Sequence, residues 1–239
     1  MTDIDYAYRN KIAKLYYEDG ESPLSDEEWD AMEGTEQHVG YTAKSGVKHL
    51  YPLYSLHKSF SEEGVWAWMG DRNVVETDKL DGAAISLVYN KGLLVRATSR
   101  GNGKEGVDIT KNVRLLKTVP WEINYKSLCQ IDGEVVAPSS IRNARNYAAG
   151  ALNLKDVEEF KERRPNLFFV VHDIRPNTSS SLLYPPEYWS SKMDFCDCLG
   201  FYTDLTFDAT DYPTDGKVFR LDNLQEWEEE GFTSHHPRG

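Results

Sequence analysis

Residues 76–103 read "ETDKLDGAAISLVYNKGLLVRATSRGNG". Two runs of alternating apolar and polar residues, "AAISLVY" and "LLVRATS", flank Asn90-Lys91-Gly92, and a Gly-containing turn between such runs is the short-range signature of a β-hairpin. A hairpin pairs its strands antiparallel, whereas a parallel pair needs a long, usually helical, crossover. At the head of the stretch a single lysine, Lys79, stands between Asp78 and Asp81 and ahead of Gly82, at a strand end.

Working outward, "CQIDGEVVAP" (129–138), "NLFFVVHDI" (166–174) and the shorter "GKVFRLDN" (216–223) read as further strands. Between the first two, "SSIRNARNYAAGALNL" (139–154) reads as a helix capped by Ser139 or Ser140, and "LQEWEEE" (224–230) as another helical piece. Upstream, Ile4, Tyr8, Ile12, Leu15 and Tyr16 recur at helical spacing, and Ser25 with Glu28 makes a capping box for a second short helix to about Met32. Two short helices cannot bury a core alone, and "EGTEQHVGYTAKSG" (33–46) reads as linker. The expectation is an α+β chain rich in antiparallel sheet, with a helical module over residues 1–40 and one larger domain over 41–239. Strands and helices do not alternate as in a Rossmann fold.

The 239 residues carry 39 acidic and 27 basic side chains, a net charge of −12. Such a chain does not wrap nucleic acid unaided, since phosphate neutralisation needs clustered Lys and Arg. A local basic groove, or a partner supplying positive surface, is compatible with it. No apolar run reaches the length of a membrane span, and the charged N-terminus lacks the apolar core of an export signal. Cys129, Cys196 and Cys198 form neither a disulfide framework nor a four-ligand zinc site, which fits a reducing cytoplasm.

Taken alone, K-x-D-G is a weak signal, expected by chance in roughly a few per cent of chains this long. Its bland reading is a solvated charge at a strand end. The chemical reading is an amine that attacks phosphorus and forms a phosphoramidate. The amine must first lose its proton; Asp78 and Asp81 favour the protonated form, and burial and a bound Mg²⁺ have to overcome them. Twenty-one positions on, Arg100 precedes Gly101, Gly103 and Gly106, and such a loop lets backbone approach a nucleotide while the guanidinium binds phosphate or ribose. Glu134 sits mid-strand where an apolar residue belongs. Asp215, Lys217 and Arg220 follow in "TDGKVFRL", with positions 217 and 220 on opposite faces of a strand.

In this order the residues resemble the N-terminal part of NAD⁺-dependent DNA ligases. "KLDGAAISLVYNKGLLVRATSRGNG" looks like nucleotidyltransferase motif I with its hairpin and glycine loop, "DGEVVAP" like motif III and "YPTDGKVFRL" like motif IV. "ARNYAAGALN" is similar to an Arg-Asn-containing segment of these ligases, "DITKNVRLLKTVP" continues the match, and "GFTSHHPRG" resembles the approach to motif V. Upstream, "YYEDGESPLSDEEWDAM" is similar to their helical module for nicotinamide mononucleotide, and "YPLYSL" to the junction after it. The implied fold is a nucleotidyltransferase (ATP-grasp-like ligase) domain with antiparallel sheets.

The resemblance implies roles residue by residue. Lys79 is the adenylated nucleophile, with Asp81, Arg100, Glu134, Asp215 and Arg220 as the other catalytic positions. Glu134 and Asp215 steer Mg²⁺ through its waters, and no zinc is expected. Ser55 and Leu56 line the adenosine side, and Glu76, Thr77 and Lys217 belong to the cofactor set. Tyr16, Tyr17, Asp26, Trp29 and Asp30 bind the nicotinamide half of NAD⁺, whose cationic ring suits acids and an aromatic face. Arg145 and Asn146 contact nucleic acid or support the site.

The departures are specific. Thr77 stands where the family carries an adenine-reading Glu, Arg220 where it carries Lys, Trp29 where it has Tyr and Tyr17 where it has His. Arg238 precedes the place where motif V continues in the family. The expectation is the first subunit of a split ligase of the kind some tailed bacteriophages encode, acting in the bacterial cytoplasm on nicked double-stranded DNA. Its partner chain brings motif V, an OB-fold, the zinc module and helix-hairpin-helix units; a truncated longer ligase is the other explanation. Two further readings stay open: an ATP- or GTP-using relative, and a catalytically degenerate binding subunit.

Overall fold

The computed structural model describes residues 46–176 and 189–230. The helices expected over 4–16 and 25–32, and with them Tyr16, Tyr17, Asp26, Trp29 and Asp30, lie outside the described residues, as does Arg238. In chain order the described elements are β1 (Val47–Lys48), α1 (Glu62–Met69), β2 (Val74–Leu80), β3 (Ala83–Asn90), β4 (Leu93–Ser99), β5 (Glu105–Gly106) and α2 (Thr110–Val113). They continue with β6 (Cys129–Val136), α3 (Ala144–Leu152), α4 (Val157–Arg163), β7 (Phe168–Pro176), α5 (Trp189–Cys198), β8 (Tyr202–Thr203), β9 (Thr214–Leu221) and α6 (Leu224–Glu230).

The predicted hairpin is β3–β4. Lys91 and Gly92 both take positive φ, 54° and 82°, so the connection is the two-residue mirror-image turn whose twist matches its strands. These strands sit in a sheet ordered β4-β3-β6-β7-β8, antiparallel apart from β7–β8. A separate ribbon pairs β2 with β9, and β1 pairs β5. The sequence reading grouped 216–223 with the other strands; its actual partner, β2, is polar in "VVETDKL" and was not expected as a full strand.

Alternation in β3 predicts one wet face, yet every residue from Ile85 to Tyr89 is buried. The register explains this. Ile85, Leu87 and Tyr89 share a face with Ile131 and Val135 and belong to the apolar core, against which Ala148, Ala151 and Leu152 of α3 and Met193 of α5 pack. The opposite face carries Ser86, Thr98, Gln130, Asp132 and Glu134. It is covered by the extended segment 49–56, held almost entirely through polar bonds. His49 Nδ1 meets Ser86 Oγ at 2.7 Å, and Tyr51 and Gln130 exchange two bonds of 2.9 and 2.8 Å between backbone and amide. Arg175 donates to the Pro52 carbonyl at 2.9 Å, and Leu53 N to the Gly103 carbonyl at 2.7 Å. A buried polar face needs partners for its groups; the strap supplies them for Ser86 and Gln130, and Arg175 meets Asp132 at 3.1 Å.

The helix expected from Ser139 starts later, at Ala144. Ser139 N donates to the Asp211 carbonyl and Ile141 N to that of Pro138, so residues 138–142 form a turn, and Asn143 enters the helix in the left-handed region at φ 53°. The serines therefore cap nothing. Helices α1, α4 and α5 went unforeseen, although Ser61 and Asp156 do cap α1 and α4. The 224–230 helix is where expected.

Candidate active site

Lys79 lies one residue before the end of β2, opposite Gly216 of β9. The next pair is Leu80 with Thr214, so Asp215 is the extra residue of a β-bulge with no partner across the ribbon. The bulge turns its carboxylate onto the lysine, and Lys79 Nζ donates to Asp215 Oδ1 at 2.6 Å. Strand alternation then sorts the rest. Thr77 shares the Lys79 face and is buried, whereas Glu76 and Asp78 project outward. There Lys217 Nζ sits 2.6 Å from Asp78 and 3.5 Å from Glu76 in an exposed cluster. The predicted cofactor set is thus divided: Glu76 and Lys217 lie on the face turned away from Lys79. Arg220 is on the Lys79 face but buried, 2.7 Å from Asp204 and donating to the His172 carbonyl at 3.1 Å.

The large sheet delivers the remaining groups. Glu134 on β6 pairs with Ala84 of β3, and the Ala84 carbonyl accepts from Arg100 N at 2.9 Å, which fixes Arg100 where β4 ends. Arg100 Nη2 donates to Ser55 Oγ at 2.5 Å, at the end of the strap. His49 Nε2 lies 3.1 Å from the Arg100 carbonyl. Two glycines make the approach possible: a Cβ on Gly82 would come within 2.3 Å of the Val135 carbonyl oxygen and 3.0 Å of Glu134 Cγ. At Gly103, φ is +83° and a Cβ would fall 2.4 Å from the Leu53 carbonyl.

Burial pushes the Glu134 carboxyl up to about 7, while Arg145, Arg100 and Lys79 pull it down and Asp81 pushes it further up. All four of these charges act on the Glu134 carboxyl, which puts them around it in a single site. Arg145 Nη1 reaches Asp81 Oδ1 at 3.3 Å. That pair opens onto a cleft of about 330 Å³, lined also by Ser139, Arg142, Asn143 and Asn146.

Lys79, Asp81, Arg100, Glu134, Arg145 and Asp215 thus converge from the ribbon, the large sheet and α3, with Ser55 at the rim. Leu56 is exposed beside Ser55. Sequence reading missed Asp204, Arg142 and His49. Nothing local marks Asp204, which reaches the site only because β8 lies beside β7 and the following turn faces the ribbon. Among the described residues no group of three His, Cys, Asp or Glu side chains has metal-binding geometry. Nor is any helix among them long and apolar enough to cross a membrane.

Residues 42–239 match the family model described as the NAD-dependent DNA ligase adenylation domain. Curated relatives agree. A DNA ligase of Campylobacter curvus is 29% identical over 289 aligned residues, covering 96% of this chain and 43% of the relative. One from Aquifex aeolicus is 31% identical over 242, covering 80% and 33%, and one from Campylobacter jejuni 30% over 287, covering 97% and 44%. The chain spans less than half the length of these relatives. It belongs to the NAD-dependent DNA ligase adenylation domain family.

Proposed function

We propose that this member of the NAD-dependent DNA ligase adenylation family takes AMP from NAD⁺ onto Lys79. The neutral Nζ attacks the α-phosphorus on the adenosine side. A P–N bond forms, the P–O bond to nicotinamide mononucleotide breaks, and that phosphate leaves with the bonding pair while the amine proton passes to solvent or a carboxylate. The observation that carries the reading is convergence: one lysine in hydrogen-bond contact with Asp215, facing Glu134 and two arginines.

The chain's own groups divide the work. Asp215 holds the Lys79 amine at the bulge and is placed to take up its proton. Arg100, anchored by Ser55 and by its own backbone, presents a fixed guanidinium to ribose or phosphate. Arg142 and Arg145 against the single acid Asp81 leave one surplus positive charge lining the cleft, where Asn146 also lies, and this cleft is suited to an incoming 5′-phosphate. Mg²⁺ fits the donor chemistry, since Glu134 and Asp215 are hard carboxylate oxygens and Mg²⁺ keeps most of its waters; when bound it neutralises charge on the transferring phosphate. Residues 1–40 are proposed as the module that holds the nicotinamide half, with residues 41–239 as the adenylation domain. Nick sealing on duplex DNA, and a separate subunit carrying the remaining ligase modules, extend the proposal beyond this chain.

Intact mass spectrometry tests it. Incubation with NAD⁺ and Mg²⁺ is expected to add one AMP to the wild type and none to Lys79→Ala. An adduct that persists in Lys79→Ala rules out this nucleophile. Adduct formed from ATP and not from NAD⁺ selects the ATP-using reading, and none from either selects the binding subunit.

A further inference from the structure

The strap 49–56 does more than cover the sheet, because one of its side chains reaches the backbone of an arginine in the site. His49 is buried and bridges two elements: its Nδ1 meets Ser86 Oγ of β3 at 2.7 Å, and its Nε2 meets the Arg100 carbonyl at 3.1 Å. A carbonyl only accepts, so Nε2 carries the proton. Burial holds the ring below the ordinary histidine value against the opposing effect of the Arg100 carbonyl. In the neutral ring Nδ1 is then the acceptor and the Ser86 hydroxyl its donor. Arg100 is held from several sides at once. Its amide donates to the Ala84 carbonyl at 2.9 Å, and its carbonyl also accepts from Gly103 N at 2.9 Å, closing the turn 100–103. The next residue, Gly101, sits at φ +56°, and glycine takes either sign of φ at little cost. The Arg100–Gly101 peptide plane therefore rotates cheaply; within the turn the Gly103 bond opposes that rotation, and from the strap the His49 ring does.

We propose that His49 is a positioning residue for adenylyl transfer, its Nε2–H pinning the backbone of Arg100 so that the guanidinium stands ready for the ribose or phosphate of the nucleotide. The inference rests on the NAD⁺ reading above and deepens it. The strap grips Arg100 at two points, the carbonyl through His49 and the guanidinium through Ser55. An arginine side chain has many rotamers, and fixing both its root and its tip against one segment removes most of that freedom before the nucleotide binds. His49 touches no reacting atom and acts only through Arg100. The competing reading is a satisfied core histidine that joins strap to sheet through Ser86 and leaves Arg100 unaffected.

The test measures the rate of AMP labelling of the full chain at saturating NAD⁺ with Mg²⁺, followed by intact mass, in two variants that both remove the buried ring. A glutamine amide nitrogen reaches the place of Nε2, whereas an asparagine amide reaches only that of Nδ1. His49→Asn is expected to label on the order of tenfold more slowly than wild type, and His49→Gln within about threefold of it, since a misplaced binding group costs rate even when it is still present. Melting temperatures of the two should fall alike. On an Arg100→Ala background, His49→Asn should slow labelling by less than about a further twofold, because residues that act through one another are not additive. Equal slowing in the Asn and Gln variants, a loss of full size retained on Arg100→Ala, or an unchanged rate in folded His49→Asn overturns the assignment. Where His49→Asn does not fold, Ser86→Ala carries the comparison, as it strips Nδ1 of its partner and frees the ring to turn. It should label severalfold more slowly with Arg100 present and no more slowly without it; the same loss on both backgrounds, or none, overturns the assignment. A wild type that takes no AMP from NAD⁺ defeats the lysyl-AMP reading and this inference with it, whereas the other outcomes, seen against a labelled wild type, overturn the role of His49 alone.

Discussion

At the residue scale, a lysine flanked by Asp78 and Asp81 acquires its environment from strand geometry. Alternation sends Asp78 outward to Lys217, Arg145 pairs with Asp81, and the bulge brings in Asp215 instead. Glu134 is the titrating member of the set. Its folded value of about 7 lies above the ordinary glutamate value of 4.5, because burial penalises the carboxylate more than the nearby cations favour it. Below pH 4.5 the group is protonated in both folded and unfolded chains and its contribution to stability is intact. Between 4.5 and 7 only the unfolded chain releases its proton, so that contribution is lost as pH rises. Denaturant midpoints across this window should therefore fall less steeply in Glu134→Gln than in wild type; Asp132, also raised to about 7, supplies the part that remains. Labelling should behave in the opposite sense. If the carboxylate is the working form, the adenylation rate rises through an inflection near 7, and Glu134→Gln removes the inflection and slows the rate by on the order of 100-fold.

At the element scale, the strap 49–56 ties the site to the sheet. It is bonded to Ser86, Gln130, Arg175 and Gly103, and it ends at the Ser55–Arg100 contact. Gly103→Ala adds a Cβ against the Leu53 carbonyl at a positive φ. A destabilisation of about 1–3 kcal/mol is expected, with faster amide exchange in the strap, as hydrogen-exchange mass spectrometry would register. Helix α1 makes a contrast. None of its residues is buried, and Trp66 is 62% exposed, so the Ser61 cap carries an unusual share of its stability. Ser61→Ala should cost about 1 kcal/mol locally and show as increased exchange confined to residues 62–69, with the global denaturation midpoint little moved.

At the scale of the whole molecule, the expected division of labour between residues 1–40 and the described domain is open to a direct experiment. Trp29→Ala or Asp30→Ala should raise the NAD⁺ concentration needed for half-maximal labelling by on the order of tenfold, at unchanged melting temperature. No such rise would detach the nicotinamide role from these residues. With a net charge of −12, the chain's own affinity for nicked DNA should be weak and collapse with modest added salt in a filter-binding or fluorescence assay.

Much of this was legible beforehand for a plain reason. Hairpin turn chemistry, strand periodicity and the spacing of Lys79, Arg100, Glu134 and Asp215 are local or ordered along the chain, and "NKG" alone demanded the turn that Lys91 and Gly92 adopt. Polar "VVETDKL" hid a strand because its outward face is charged and its inward face holds a threonine. "SSIR" mimicked a helix cap because serines serve turns as readily as caps. By itself the sequence determined an antiparallel α+β fold, a candidate nucleophile and the family to which it belongs. Only the tertiary structure decided which face each charge occupies, that a polar strap seals the second face of the sheet, and that Asp204 stands beside Thr77, 127 residues away along the chain. Register and bulges are set by long-range pairing, and a one-residue slip would exchange the two faces.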